Sequence, residues 1–118
     1  MRNKGKMTVF VKAEYLMDYT FQMTDSTKRY AKKHRFTFVD RMQNLALDIY
    51  CKLRKCNELP MSERRDLQRD AISDMEVLIA LIEISLRREF IDYDQCKRWA
   101  SKVIDVKNLT GAWLKSSK

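Results

Sequence analysis

From Lys6 to Leu59, and again from Met61 to Thr110, the chain contains neither glycine nor proline; Gly5, Pro60 and Gly111 are the only such residues in it. Glycine and proline supply the positive φ angles and rigid corners on which tight turns depend. A chain so poor in them argues against loop-rich and all-β folds and in favour of long helices. With 118 residues it is long enough for one domain with a sizeable core, and too short for two.

Apolar spacing divides the chain into four helical segments. In the first, about residues 8–33, Val9, Ala13, Leu16, Met17, Thr20, Met23, Thr27, Tyr30 and Ala31 recur at three- and four-residue steps on one face. Its aromatics Phe10, Tyr15, Tyr19 and Phe21 would also suit strands. The second, about 37–56, opens on Thr37 with Asp40 three residues later, a capping-box pattern. Phe38, Met42, Leu45, Ile49 and Leu53 form its seam, widened by Val39, Ala46 and Tyr50. Pro60, which lacks an N–H and clashes inside a helix, marks the break. Ser62 can cap the third segment, about 62–90, with Glu63 and Asp66 near its positive end. The stretch MEVLIALIEISL is apolar nearly all round except for the stripe Ser73, Glu76, Ala80, Glu83 and Arg87, which predicts a central helix that also meets another subunit. The fourth, about 92–115, opens on Asp92 with Gln95 in the capping-box position and turns Cys96, Trp99, Ala100, Val103, Val106, Thr110 and Trp113 or Leu114 inward. Gly111 near its end suits a close approach or fraying, and the tail KSSK reads as frayed.

Short joints between segments of this length predict antiparallel neighbours. The expected fold is all-α: a single-domain, antiparallel, up-down-up-down four-helix bundle with rods roughly 30–39 Å long. No apolar run approaches the ~20 residues of a membrane span, and the N-terminus lacks the apolar run of a signal peptide. Cys51, Cys56 and Cys96 form no CxxC pair, which fits a reducing, cytoplasmic setting.

Catalytic chemistry is poorly supplied. The single histidine, His34, lies in a basic joint that leaves it no partner for an HExxH or Ser-His-Asp arrangement; no paired Glu-x-x-His exists, and a Cys/His zinc site is nearly excluded. His34 itself reads as a surface residue. With Gly5 and Gly111 alone there is no glycine-rich phosphate loop. Glu76 and Glu83, seven apart on one stripe, read as solvated or ion-paired surface acids. No cofactor, no metal and no enzyme activity are expected.

Binding chemistry is richer. The net charge of +8 favours anionic partners, nucleic acid first and an anionic membrane surface second. Residues 1–35 carry nine basic and three acidic side chains, so most of the excess lies there. Candidate phosphate contacts are Lys28, Arg29, Lys32, Lys33 and Arg35 at the first joint, with Arg41 beyond it; Lys52, Arg54 and Lys55 before the second joint; Arg64, Arg65 and Arg69 after it; Arg87 and Arg88; and Lys97, Arg98 and Lys102. Antiparallel packing places the first joint with Arg87, Arg88, Lys97 and Arg98 at one end, and the 52–69 cluster at the other, giving a basic patch at each. Tyr30 and Phe36 flank the joint cations and could stack on bases, but their helical spacing favours the core. Trp99, Trp113 and most of the seven methionines read as core as well.

The run RFTFVDRMQNLALDIY, the third segment RRDLQRDAISDMEVLIALIEISL and the ending KNLTGAWLKS resemble the accessory variability determinant (Avd) family of diversity-generating retroelements. The resemblance covers roughly residues 9–116. Its most specific parts are Arg35-Phe36-Thr37-Phe38 with Arg41, Asn44, Leu45 and Leu47, and Leu109-x-Gly111-x-Trp113. The family is similar to the wider bundle family named after intervening sequences in bacterial 23S ribosomal RNA genes. It implies a homopentameric barrel with a positive surface that partners the retroelement's reverse transcriptase and binds template RNA, DNA or an RNA/DNA hybrid in mutagenic retrohoming, without being the polymerase. The alternative expectation is an oligomeric RNA- or protein-binding bundle of the intervening-sequence type with no retroelement role.

Overall fold

The computed structural model describes residues 4–117, with side chains from Thr8 onward. Four α-helices, α1 (Lys4–Thr24), α2 (Asp40–Glu58), α3 (Arg65–Arg87) and α4 (Tyr93–Ser116), form a single-domain antiparallel bundle with extents of 44 × 24 × 19 Å. Each packs against its neighbours in chain order, and α1 closes the square against α4. No strand occurs among the described residues.

The inner faces follow the apolar spacing. Val9, Ala13, Leu16 and Met23 of α1, Met42, Ala46, Ile49 and Leu53 of α2, Ala71, Met75, Leu78 and Ile82 of α3, and Trp99, Val103 and Val106 of α4 are all buried. Two hydrogen bonds between enclosed side chains tie the bundle across its core: Trp99 Nε1 donates to Thr20 Oγ1 at 3.0 Å, and Gln68 Nε2 donates to Ser117 Oγ at 3.2 Å. Such pairings matter because an unmade buried hydrogen bond costs the full desolvation of the group.

Helix α3 is a corner rod like the others, not the central helix expected from its greasy middle. Its flanks are covered by α2 and α4, and the stripe Ser73, Glu76, Ala80, Glu83 and Arg87 faces solvent. The residue of the apolar excess is Val77, left half exposed.

The element ends differ from the expectation in several places. Helix α1 stops at Thr24, not near Lys33. The Asp25-Ser26-Thr27 run that follows offers side-chain hydrogen-bonding alternatives to the helical ladder. Neither Thr37 nor Ser62 caps a helix. A π turn (Arg35–Val39) runs straight into α2, where Asp40 N donates to the Arg35 carbonyl, and a 3-10 turn (Met61–Glu63) leads into α3, where Arg64 N donates to the Met61 carbonyl just ahead of the helix. The Asp92–Gln95 capping box is present in full, with Gln95 N donating to Asp92 Oδ1 at 2.8 Å and Asp92 N donating to Gln95 Oε1 at 2.9 Å. Gly111 is no close approach, since a Cβ there would meet nothing within 4 Å. The tail is tied down rather than frayed as far as Ser117, which is buried and donates to the Trp113 carbonyl; Lys118 lies outside the described residues.

Helix α3 ends in a Schellman-type turn: Phe90 N donates to the Ser85 carbonyl and Glu89 N to the Leu86 carbonyl, both at 2.9 Å. Glu89 therefore sits at φ 63°, a left-handed conformation costly for any residue with a Cβ. Glu89→Gly should raise stability by about 0.5–1 kcal/mol, a rise of about 2–5 °C in the thermal midpoint. An unchanged or lower midpoint would mean that the exposed glutamate side chain offsets the strain.

Candidate nucleic-acid interface

The first joint, residues 25–39, is a built structure. A single turn closes with Tyr30 N donating to the Ser26 carbonyl at 2.9 Å, and it delivers the Tyr30 ring into the bundle end. Its hydroxyl donates to Ser85 Oγ at 2.9 Å, and Ser85 in turn donates to the Leu81 carbonyl at 2.8 Å. Tyr30 is buried, as the spacing predicted, but it reaches the core from a loop. His34, expected at the surface, is half buried, with its ring 4.6 Å from Phe90 and edge-on to Phe38 at 6.0 Å. Gln43 on α2 donates to Thr24 Oγ1 at 2.9 Å and to Asp25 Oδ1 at 3.2 Å, which fastens the end of α1 to the second helix.

Burial pushes the Tyr30 hydroxyl up from 10.0 to about 12, against the opposing pull of the Ser85 hydrogen bond and the Arg29 charge. Below pH 10 the tyrosine is neutral in both folded and unfolded chains, and its contribution is fully present. Between 10 and about 12 the unfolded chain releases a proton that the folded one retains, so this stability falls by up to about 3 kcal/mol as pH rises. Chemical denaturation across that window should show Tyr30→Phe losing less stability with pH than the parent. Equal slopes would show that Tyr30 ionises as easily in the folded joint as in the unfolded chain.

The π turn decides which joint side chains face water. Arg35 lies seven residues before Met42, so an α-helical register carried back from α2 would aim it at the core beside Met42 and Ile49. The wider turn, closed by Asp40 N donating to the Arg35 carbonyl, rotates the preceding residues outward. Arg35 is exposed as a result. Phe36, expected in the core, is 79% exposed. Lys32 and Arg35 also border a polar cleft of about 100 Å³ whose lining includes Thr24, Asp25, Thr27 and Gln43.

Lys28, Lys32, Lys33, Arg35, Arg41, Arg87, Arg88 and Lys97 lie toward the joint end, all exposed and none in an ion pair among the described residues. Arg29 there is half buried, with its Nε unpartnered. Arg98 meets Asp94 at 2.9 Å, but both side chains are mostly exposed (69% and 65%), so the pairing is weak and readily exchanged. Asp25, Asp40, Glu89, Asp92 and Asp94 offset only part of this charge.

At the opposite end three of the six candidate cations, Lys52, Arg64 and Arg65, are engaged by neighbouring groups. Lys52 Nζ is held by Asp74 Oδ2 at 2.7 Å, and that hydrogen bond raises the lysine's pKa. Arg64 Nε donates to the Leu59 carbonyl at 2.9 Å while its guanidinium lies 5.8 Å over Trp113. Arg65 donates to the Leu114 and Ser117 carbonyls at 3.3 and 3.4 Å, closing the C-terminus of α4. Arg54 is exposed but sits 4.9 Å over Phe10. Lys55 and Arg69 remain exposed and outside ion pairs. On the bundle's side, Lys102 is half buried over Tyr19 at 5.0 Å.

Glu76 and Glu83 are both exposed, and Glu76 pairs with Lys107 at 3.3 Å. Among the described residues no three His, Cys, Asp or Glu side chains converge as a metal site would need, and no helix is long and apolar enough to cross a membrane. Cys56 and Cys96 are buried thiols whose pKa burial raises, and Cys51 is exposed; none is in a disulfide.

No protein-family model, curated protein or solved structure matches the chain.

Proposed function

We propose that this chain is a non-enzymatic nucleic-acid-binding accessory protein of a diversity-generating retroelement, of the Avd type, partnering the reverse transcriptase and its template RNA in mutagenic retrohoming. The observation that carries the nucleic-acid part is the gathering of exposed cations without ion pairs at the joint end, from three different segments of the chain. Such a surface attracts phosphates and releases their condensed counterions. The retroelement part rests on the resemblance of residues 35–47 and 109–113 to that family. Assembly as a homopentamer follows the same resemblance, and half-exposed Val77 and Ile104 on α3 and α4 offer apolar ground for subunit contact. The cytoplasm, where template and polymerase meet, is the proposed location.

Light scattering coupled to size exclusion, with and without structured RNA at low and moderate salt, tests the first part; co-purification with a retroelement reverse transcriptase tests the second. A defined oligomer that shifts with RNA and retains the polymerase supports the whole reading. RNA binding without polymerase contact supports the intervening-sequence alternative. A monomer indifferent to RNA removes both.

A further inference from the structure

We infer that Phe36 is a stacking platform for an unpaired nucleobase, so that the joint binds single-stranded segments in preference to duplex. The inference rests on the nucleic-acid reading of this end and adds to it the class of strand recognised.

A phenylalanine 79% exposed is an expense in hydration that a folded chain avoids wherever the ring can be packed. Its neighbours show that packing was available. Phe38, two residues on, packs against Tyr30 at a tilt and edge-on to His34 and Phe90 in the aromatic plug of the bundle end, at ring separations of 6.3, 6.0 and 5.2 Å. The π turn instead directs Phe36 away from that plug while giving its base firm support: Val39 is buried, and Phe38 is wedged in the cluster. Phe36 is therefore an exposed ring on a braced backbone, which costs little further ordering when a flat partner lies on it.

The surroundings select the partner. Lys32, Lys33 and Arg35 closely precede the ring in sequence, and all are exposed and outside ion pairs among the described residues. A purely apolar protein surface docking on Phe36 would have to bring these cations toward an interface without counter-charge. A single strand meets both demands, because its phosphates answer the cations and its bases offer π faces to the ring. In a duplex the bases are stacked on one another and only the phosphates remain for the joint, so the ring contributes nothing there. Because every base has a π face, the preference should be for unpaired structure rather than for sequence.

The test compares the parent protein, Phe36→Ala and Phe36→Trp for binding to a short single-stranded RNA carrying 2-aminopurine and to the same RNA annealed to its complement. Phe36 is exposed, so all three should keep the same helical circular-dichroism spectrum. The expected result is that Phe36→Ala weakens single-strand binding by about 5- to 150-fold and leaves duplex binding within about twofold, while Phe36→Trp binds at least as well as the parent. The 2-aminopurine fluorescence change on binding should disappear with Phe36→Ala and persist with Phe36→Trp. Equal losses on single strand and duplex, or no loss on either, would overturn stacking while leaving phosphate binding by the joint intact. A Phe36→Ala variant that changes oligomer size with RNA binding unaltered would also overturn it and assign the ring to a protein contact. A parent protein that binds neither RNA would fail earlier, at the proposed function, and take the stacking role with it.

Discussion

Replacing Lys32, Lys33 and Arg35 together by glutamate should lower affinity for single-stranded RNA on the order of 100-fold or more at moderate salt, without loss of fold. These side chains are exposed and outside ion pairs, so their reversal leaves no buried group unsatisfied. Each lost phosphate contact removes about 0.7 from the slope of log affinity against log salt on a single strand, so three contacts should flatten it by about 2. The control is the other end of the bundle. Lys55→Glu with Arg69→Glu also reverses exposed charge, but there Lys52, Arg64 and Arg65 are engaged by Asp74 and by the carbonyls of Leu59, Leu114 and Ser117. The control pair should therefore act only through net charge, with a loss of a fewfold. Equal losses from the two sets would show general attraction by a basic protein and no interface at the joint.

Trp99→Ala should be the most damaging single change to the fold. The indole is 0% exposed, packs edge-on to Tyr19 at 6.3 Å and donates to Thr20 Oγ1 at 3.0 Å. Removing so large a buried side chain loses its transfer free energy and leaves a cavity that stiff neighbouring helices fill only in part, at a cost of about 3–5 kcal/mol. Against a typical total of about 5–15 kcal/mol this is a large fraction, and the thermal midpoint should fall by about 10–20 °C. Trp99→Phe keeps most of the ring volume and loses the N–H, and should cost about half as much or less. A loss below about 1 kcal/mol for Trp99→Ala, measured by urea or thermal unfolding, would mean that α1 and α4 close over the gap. RNA affinity of the folded fraction should be unaffected by either change, because the binding surface lies outside the core.

The helices and their inner faces were legible because both depend on short-range periodicity. Met42, Ile49 and Leu53 share a face of any α-helix, and the solvent stripe from Ser73 to Arg87 follows by the same rule. The Asp92–Gln95 box was equally legible, since it joins residues three apart. The joint departs from the expectation where periodicity is ambiguous. Tyr30 satisfied helical spacing by coincidence, and an apolar Phe36 beside a helix looked like core until the π turn rotated it out. The Asp25-Ser26-Thr27 run was the available signal that α1 ends early. His34 gave no comparable signal, because its partners Phe38 and Phe90 come together only when α3 returns to the same end.

The amino-acid order alone thus determined an all-helical chain, its antiparallel course and most of the inner faces of α1, α2 and α4, because each of these follows from backbone geometry within a few turns. Which basic side chains remain available was decided by the tertiary structure. Lys52 finds Asp74, and Arg65 finds the end of α4, only after segments 22 to 52 residues apart are brought into contact. A cation's availability depends on what lies within a few ångströms of it, and sequence spacing says little about neighbours that far along the chain. That is why, among the described residues, three of the six candidate cations at the far end are engaged, whereas the joint end keeps eight exposed cations outside ion pairs with an exposed aromatic ring beside them.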